Sequence, residues 1–423
     1  MKKIIIFLFL VLVYSQPTLS QFAPSDVSNL TGGLGMTWID GKPFFAVRFT
    51  PEFSISKIGV GLDLNLEFNS DGLRKENFNE TSDYLSIIRY VRYGNKREKV
   101  FVKLGALDYY TLGHGSIMYA YNNSPSFDNR KIGLNVDLDF DKFGFESIYG
   151  SFGEAGIVGM RGYVRPIQYT PMASIPVISN LEVGVTVASD FNDNAGKVYG
   201  ITDTTNNSMA VFGFDLGLPV VTTSMLNLSL YFDFVKFADF GSGSSAGALL
   251  ELNGLGLVNA SVKLERRWNG KEYMPAYFGS FYEIEKFGKA NLLKNINSSM
   301  DGYFGALNVG VLGTVNLLGS FQKLDDDPNS GILHLTTEVA PSGAPFVARA
   351  GYDKVYIKDG ADLFKLDDRS YLFAELGYKP YSFMIVSLVY QWTYTPIRDI
   401  DDNVIGFTPQ KKIEPRVSFI YPL

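Results

Sequence analysis

The feature that most constrains this chain is a period of two in hydrophobicity, which recurs along most of its length. In residues 57–68 every even position, from Ile58 to Phe68, is large and apolar, while every odd position is charged, polar or glycine. The same alternation returns in 131–140, 181–190, 226–234, 258–265 and 384–394. Successive side chains of a β-strand point to opposite faces, so each segment is predicted to be a strand with one apolar and one polar face. A helical period is weak everywhere after residue 20.

Turn-forming residues separate these strands. Asp40-Gly41 and Asn253-Gly254 are two-residue hairpin signals, and 141–144 and 328–331 are slightly longer ones. The longer polar segments 69–82, 122–130, 192–207, 239–245 and 397–403 are predicted to be loops. Short turns that alternate with long loops predict an up-and-down antiparallel meander.

The length of the alternating runs indicates what the apolar face contacts. Strands of a sandwich are most often about 5–6 residues long, whereas these runs last ten to fourteen. Tilted strands of about 9–11 residues cross a bilayer. An open sheet in lipid would leave edge amides unpaired, at several kcal/mol each, so the sheet must close. The sequence therefore predicts an all-β fold, a closed antiparallel up-and-down transmembrane β-barrel.

The number of strands follows from the candidate segments. A single-chain bacterial barrel normally has an even number of strands, so at least one of the twenty-one candidates is wrong. The two weakest candidates are Ile157 to Pro166 and Gly33 to Asp40, and we expect about 18–20 strands, with about 16–22 allowed. The candidates begin near Gly33, Phe44, Ile58, Tyr84, Val100, Lys131, Gly144, Ile157, Leu181, Met209, Leu226, Gly247, Gly256, Tyr277, Gly302, Thr314, Ile332, Phe346, Tyr371, Phe383 and Ile413.

The N-terminus has the layout of a secretory signal peptide. Met1-Lys2-Lys3 is followed by the apolar run Ile4 to Val13 and by small residues on either side of Leu19. We predict a signal peptide over 1–20, cleaved after Ser20; the alternative is a retained anchor, although the run is short for a membrane span. Residues 21–423 are predicted to form a single barrel domain with short periplasmic turns and longer extracellular loops.

Composition excludes several classes of function. The chain has no Cys and only two His, which argues against disulfides, thiol nucleophiles and His-based metal sites. Its formal charge of −6 becomes −8 when Lys2 and Lys3 are removed with the leader (−6 − 2), so no nucleic-acid partner is expected. We predict no cofactor, no metal and no enzymatic activity.

The last strand carries a family resemblance. Val417, Phe419, Tyr421 and Leu423 lie on one face of the final segment, which resembles the terminal strand of porin-like outer-membrane β-barrel proteins of Gram-negative bacteria. That family pattern usually ends in Phe or Trp, whereas Leu423 here follows Pro422. The resemblance implies the outer membrane as the location. It also implies contact with outer-membrane lipid and lipopolysaccharide, with the barrel-assembly machinery during biogenesis, and possible homo-oligomers such as trimers.

Candidate functional residues lie on the polar face of the strands and at strand ends. His114, between two glycines in 112–116, is a candidate lumen constriction; the alternatives are a plain glycine-rich strand end and, since His114 and Ser116 resemble the residue types of an outer-membrane phospholipase, a hydrolase. The candidate lumen-lining residues are Arg48, Asp63, Asp137, Asp139, Lys263, Glu265, Arg349 and Asp353, although ion pairs among them could instead fill a closed barrel. The candidate membrane-interface aromatics are Tyr390, Trp392, Tyr394, Phe419 and Tyr421.

Two acidic segments, Asp190 to Asn194 and Asp399 to Asn403, offer alternating oxygen ligands for calcium, but solvated turns are the favoured interpretation. The leading functional hypothesis is an outer-membrane channel for small hydrophilic solutes, because barrels of 16–18 strands leave an aqueous channel. The alternative is a structural or interaction barrel that serves as an anchor or partner in a secretion, adhesion or envelope assembly.

Overall fold

The computed structural model describes residues 29–75, 78, 84–85, 87–96, 98–124, 130–153, 156–192, 195–198, 208–223, 225–252, 258–312, 314–339, 345–398 and 404–422. Most of them belong to strands of one antiparallel sheet. The predicted leader at 1–20 lies outside the described residues. The strands are β1 (Asn29–Ile39), β2 (Lys42–Phe49), β3 (Glu52–Ile55), β4 (Ile58–Leu62), β5 (Leu64–Asn69), β6 (Gly72–Leu73), β7 (Ile88–Tyr93), β8 (Val100–Gly105), β9 (Tyr110–Leu112), β10 (Met118–Tyr121), β11 (Gly133–Asp139), β12 (Phe143–Tyr149), β13 (Ile157–Val164), β14 (Glu182–Asp190), β15 (Met209–Thr222), β16 (Leu226–Phe237), β17 (Ser242–Leu252), β18 (Val258–Asn269), β19 (Met300–Val311), β20 (Val315–Leu324), β21 (Gly331–Val339), β22 (Phe346–Ile357), β23 (Ser370–Tyr381), β24 (Met384–Arg398) and β25 (Val404–Pro422).

The strand pairing closes into a ring. From β11 to β25 each strand pairs with the next one in the chain, and β25 pairs with β1 through contacts such as Val417 opposite Leu34. β2 with β3, and β4 with β5, are halves of two longer strands that are each interrupted at a single short break. β1 pairs with β2, β4 with β7, β7 with β8, and β8 with β11. The ring therefore has twenty strands, which confirms the predicted closed antiparallel barrel.

The structure corrects the strand candidates at one position. Ile157 and Gly33 both lie in barrel strands, β13 and β1, which pair with their neighbours on both sides. The candidate near Tyr277 is wrong: this residue is buried in the connection between β18 and β19, ahead of an α-helix, α1 (Tyr282–Lys294). Its aromatic neighbours pack inside the barrel, so no face of that segment contacts lipid. The segment predicted as a loop at 239–245 is also shorter, because β17 already begins at Ser242.

The two rims of the barrel differ in their connections. The rim that carries Asn29 and Pro422, here called the turn end, joins successive strands by six residues or fewer, with the exception of residues 165–181. That exception contains three short 3-10 helices at Pro166–Tyr169, Pro171–Ser174 and Ile178–Asn180. The opposite rim, the loop end, carries the long connections 106–132, 191–208, 270–299 and 358–369.

The exterior of the barrel is apolar. On β16, Leu230, Phe232 and Phe234 are exposed on the outside, while Tyr231 and Asp233 are buried on the inside. Because every backbone group of a closed ring has a partner, such a barrel can expose this apolar surface to hydrocarbon. Within the described residues, no helix combines the length and the apolar character that a membrane crossing requires.

Two connections fold from the loop end into the barrel and together form what we call the plug. The first is residues 106–124, with the hairpin of β9 and β10. The second is residues 270–299, which include α1. They join through backbone hydrogen bonds from the amide of Ala276 to the carbonyl of Ser116 (2.8 Å) and from the amide of Phe278 to the carbonyl of Ile117 (3.2 Å). The plug therefore behaves as one packed unit inside the ring.

Candidate functional site

The plug packs through apolar side chains against one wall of the lumen, formed by β12 to β16, which we call the plug wall. Met118, Tyr277 and Phe278 are fully buried and lie in one cluster with residues of the inner face of β12 to β16. This inner face is apolar near the loop end, unlike the polar lumen that the sequence predicts. The wall residues of the cluster are Ile148, Ile157, Ala188, Met209, Val211, Val235 and Phe237. Burial of each such side chain is worth about 1.5–3 kcal/mol, so the plug is firmly held.

A buried carboxylate on α1, Glu283, connects the two parts of the plug to the wall. Its oxygens accept hydrogen bonds from the hydroxyl of Tyr121 on β10 (2.6 Å), the ammonium of Lys131 before β11 (2.7 Å) and the ammonium of Lys286 (3.2 Å). Burial alone would raise the pKa of Glu283, but the charges of Lys131 and Lys286 outweigh it and lower this pKa to about 2. The carboxylate is therefore ionised at neutral pH.

A second contact attaches the start of α1 to the wall. The hydroxyl of Tyr282 donates a hydrogen bond to the carboxylate of Asp190 at the end of β14 (2.8 Å). Burial, followed by the charge of Asp190, raises the pKa of Tyr282 far above its usual value, so the phenol stays protonated. Asp190 is completely buried. The prediction of a solvated turn at 190–194 is therefore wrong at its first residue, whereas 399–403 lies outside the described residues.

The tip of the β9–β10 hairpin, residues 112–116, reaches the middle of the barrel. The amide of Gly113 donates to Glu146 on β12 (2.8 Å), and Nδ1 of His114 lies 2.8 Å from Oδ1 of Asp233 on β16. The imidazole stacks on the ring of Tyr231, with 4.5 Å between centroids. Lys263 of β18 donates to the carbonyl of His114. The tip is thus held by charged and aromatic side chains of three strands, β12, β16 and β18.

Glycine makes this tip possible. Gly113 and Gly115 have φ values of +56° and +95°, a region that side chains with a Cβ rarely adopt. A Cβ at Gly113 would come within 2.9 Å of Cδ of Arg161, and one at Gly115 within 2.9 Å of Cδ2 of Tyr119. The two glycines therefore allow the hairpin to bend into the lumen at this point.

The hydroxyl, imidazole and carboxylate at the tip do not form a catalytic relay. In such a relay the imidazole lies between the nucleophilic hydroxyl and the carboxylate. Here the hydroxyl of Ser116 donates directly to Asp233, which also contacts His114, and it lies 2.9 Å from the hydroxyl of Ser245. The serine and the histidine therefore share one carboxylate instead of passing a proton to each other.

The same region offers three side chains of metal-ligand type. Ligand atoms of His114, Asp215 and Asp233 all lie within 4.8 Å of one another. Both oxygens of Asp215, however, accept hydrogen bonds from the guanidinium of Arg161, at 2.9 and 2.6 Å. A cation would have to compete with this buried positive charge, so the residues fit an ion-pair network better than a metal site.

Opposite the plug wall, a cavity of about 60 Å³ remains between the plug and β19 to β22. Tyr119 and Phe281 of the plug face Phe304, Gln322 and His334 of the wall across it. Its surface therefore combines aromatic rings with amide, hydroxyl and imidazole groups. His334 is fixed by its contact with Asp353 on the neighbouring strand.

The eight predicted lumen residues lie on the inner face, but most are held by a neighbouring side chain. Arg48 donates to Glu414 (2.7 Å), Arg349 to Glu375 (3.1 Å), and Lys263 lies 2.6 Å from Glu265. Asp139 accepts from Arg165 (3.0 Å), Asp137 from Asn135 (2.7 Å), Asp63 lies 3.6 Å from Arg130, and Asp353 contacts His334. Their role in steering solutes stays a prediction.

A ladder of ion pairs covers the inner face where the barrel closes. Glu67 on β5 contacts Lys412 on β25 and lies 3.6 Å from Arg48 on β2, which in turn binds Glu414. Arg416 donates to Glu414 (2.6 Å). Glu67 and Glu414 are each only 1% exposed. We call this group, on β2, β5 and β25, the closing wall.

The predicted interface aromatics divide into two groups. Tyr390 and Trp392 are half-buried on β24, and Phe419 is exposed on β25. Tyr394 is different: it is 1% exposed, packs against Phe281 of the plug and donates to the carbonyl of Ser370 (2.9 Å), so it does not face headgroups. The side chain of Tyr421 lies outside the described part of β25.

Sequence reasoning missed the plug. One signal was present in β15, where Met209 and Val211 are apolar as well as Phe212 and Phe214, so both faces of the strand are apolar near the loop end. Another was in 282–293, where Tyr282, Lys286, Lys289 and Leu293 recur at helical spacing and are buried.

No protein-family model matches the chain, and no curated protein matches it in sequence. The chain folds as a closed antiparallel β-barrel with an apolar exterior. Among solved structures, OccK11 (OpdR) of Pseudomonas aeruginosa is 12% identical, with 97% of this chain and 100% of that chain covered and a TM-score of 0.31. OccK5 (OpdH) of the same organism is 13% identical, with 94% and 98% covered and a TM-score of 0.34.

The siderophore receptor PirA from Acinetobacter baumannii is 8% identical, with 94% of this chain and 81% of that chain covered and a TM-score of 0.38. The fold itself rests on the ring of strand pairs and the apolar exterior described above.

Proposed function

We propose that this protein is an outer-membrane channel for small hydrophilic solutes, and that its own plug keeps the channel narrow. The observation that carries the proposal is a twenty-strand ring whose interior is occupied by two connections of the same chain. A ring of this size encloses more space than its own side chains fill. The space left by the plug is therefore available for solute.

The solute path that we propose follows the cavity between the plug and β19 to β22. The plug is packed tightly on the opposite wall, and this side retains about 60 Å³ of free volume. Hydrogen-bonding groups of Gln322 and His334 and the ring of Tyr119 line it. Polar groups of this kind can replace part of the hydration of a small solute as it passes.

His114 is proposed as the constriction at mid-barrel. Its contacts with Asp233 and with the ring of Tyr231 hold the hairpin tip in the lumen. A His114→Ala variant would lose a hydrogen bond to a charged group, worth about 1.5–3 kcal/mol, and the tip would move more freely. We expect larger and noisier conductance steps than in the wild type.

Planar bilayers test the channel directly. The full-length mature protein should give small, reproducible conductance steps, and a variant in which residues 109–119 are replaced by a short Gly-Ser linker should give much larger ones. Folding of both is checked by the migration shift of intact barrels on unheated gels. If the folded linker variant conducts no better than a protein-free bilayer, the channel proposal is wrong.

The occluded lumen also favours the second candidate, a structural or interaction barrel. In that case the plug is a permanent filling, and the long connections at the loop end are the working surface. Affinity purification from gently solubilised outer membranes would then recover a stoichiometric partner, and neither the wild type nor the linker variant would conduct. Conductance by both without a partner would exclude this alternative.

A further inference from the structure

The one long connection at the turn end, residues 165–181, has no assigned role in the barrel or the plug. Its sixteen residues from Pro166 to Leu181 contain no charged side chain, in a chain that is 19% charged. The three 3-10 helices pack on one another beside the start of β14. A connection of this length and composition is unnecessary for joining two neighbouring strands.

Large apolar side chains recur at every third residue of this segment. Tyr169, Met172 and Ile175 are 59%, 46% and 44% exposed. Tyr169 ends the first 3-10 helix, Met172 lies in the second, and Ile175 directly follows the second. We call these three side chains the apolar ridge. Every residue from Tyr169 to Pro176 is exposed, so the described part of the chain leaves the ridge uncovered.

The ridge continues the lipid-facing surface of the barrel. The ammonium of Lys142, in the turn between β11 and β12, lies 5.1 Å from the ring centroid of Tyr169. Phe140 and Phe143 flank this turn with exposed rings 5.4 Å apart, and Val164 is exposed at the end of β13. An aromatic ring beside a lysine is typical of the membrane–water interface, where the ring enters the headgroup layer and the ammonium reaches water.

The ridge is too small to be a specific protein interface. Even a large aromatic side chain buries only about 150–250 Å², so three side chains fall well short of the ~1,000 Å² that a stable protein–protein interface needs. A lipid surface has no such lower limit, because apolar side chains enter it one at a time. We propose that residues 166–181 lie in the headgroup layer at the turn end and anchor this rim to the lipid.

The chain has no cysteine, so single-cysteine variants can carry one nitroxide label each. We would label Met172→Cys and Ile175→Cys, with Leu264→Cys on the outer face of β18 as the lipid control and Asp326→Cys at the loop end as the water control. The proteins are reconstituted in vesicles of phosphatidylethanolamine and phosphatidylglycerol. Collision of each label with oxygen, which concentrates in lipid, is compared with collision with a water-soluble nickel complex.

We expect the ratio of oxygen to nickel collisions at 172 and 175 to be several-fold higher than at 326 and closer to the value at 264. A ratio equal to that at 326 would overturn the proposal. Labels that are shielded from both reagents would also overturn it, in favour of a protein contact. Ser174→Cys serves as a second control within the segment, and its ratio should lie between the two extremes. None of these outcomes depends on whether the barrel conducts.

Discussion

Two regions of the inner face are almost inaccessible to water, and they reach this state by opposite chemistry. The wall formed by β12 to β16 is apolar near the loop end and is covered by the plug, with Phe278 and Tyr277 completely buried. The closing wall on β2, β5 and β25 is charged, and Glu67 and Glu414 are buried among lysines and arginines. One wall is a hydrophobic core, whereas the other is an ion-pair network.

The difference indicates which part of the barrel can change. Apolar packing is non-directional, and the polar contacts that also hold the plug, such as Glu283 with Lys131 and Tyr282 with Asp190, join the plug to the wall and not two strands of the ring to each other. The closing wall links the last strand, β25, to β2 and β5 through charges that would be left unpaired if these strands separated, at a cost of several kcal/mol. We therefore expect perturbation of the first wall to affect conductance and perturbation of the second to affect the stability of the barrel.

The largest expected effect is on the plug wall. Phe278→Ala removes a fully buried ring, and such a change costs about 3–5 kcal/mol. We expect the plug to loosen and the conductance in planar bilayers to rise strongly, while the barrel still migrates as a folded species on unheated gels. Phe364→Ala, at a residue that is 82% exposed, is the matched control and should change neither measurement. Unchanged conductance in Phe278→Ala would mean that the plug does not limit passage.

A smaller effect is expected on the closing wall. Glu67→Gln leaves Lys412 and Arg48 without a carboxylate that they contact, and loss of one member of a buried pair costs about 3 kcal/mol. We expect a lower thermal unfolding temperature with little change in conductance. Glu98→Gln removes the partner of Lys57 in a solvent-exposed pair and should be nearly silent, because water screens exposed ion pairs. A conductance change as large as that of Phe278→Ala would remove the distinction between the walls.

The third expected effect depends on pH and concerns Glu283. Above its ordinary pKa of 4.5 the carboxylate is charged whether or not the plug is docked, so its attraction to Lys131 and Lys286 holds in full. Between pH 4.5 and about 2 the undocked carboxylate takes up a proton first, so docking weakens as the pH falls. The change is on the order of 3 kcal/mol, and we expect conductance to rise as the pH falls across this range.

Glu283→Gln should abolish this pH dependence, because no proton is then taken up at this position. Glu272→Gln is the matched control, since Glu272 lies in the same plug connection, pairs with Lys294 (2.9 Å) and does not line the proposed solute path. That variant should keep the pH dependence of the wild type. An identical pH response in all three proteins would show that another group is responsible.

Much of the fold could be predicted from the sequence because strand alternation is local. The alternation in 226–234 requires only that one face of β16 point outward and the other inward, and the structure shows this arrangement. Twenty of the twenty-one strand candidates correspond to strands of the barrel. The exception is the candidate near Tyr277, a residue whose aromatic surroundings resemble a strand but which packs against Phe237 and Tyr282 inside the ring. The glycines at 113 and 115 were also informative, since positive φ is a property of single residues.

The candidate site was harder to predict from the sequence than the fold. Tyr121 and Glu283 are 162 positions apart, and His114 and Asp233 are 119 apart. Nothing in the local pattern around Asp190 or Tyr394 shows that a plug residue will cover each of them. Whether a polar or apolar inner face meets water depends on what enters the lumen from other parts of the chain.

The sequence by itself determined that the chain forms long two-faced strands that must close in lipid, because the direction of alternate side chains and the need to pair every backbone group are fixed by local geometry. Only the tertiary structure decided that the interior is divided between an apolar wall under a plug and a charged closing wall. That division results from contacts between distant segments, and the energy of burying a side chain depends on its partner, not on its place in the alternation.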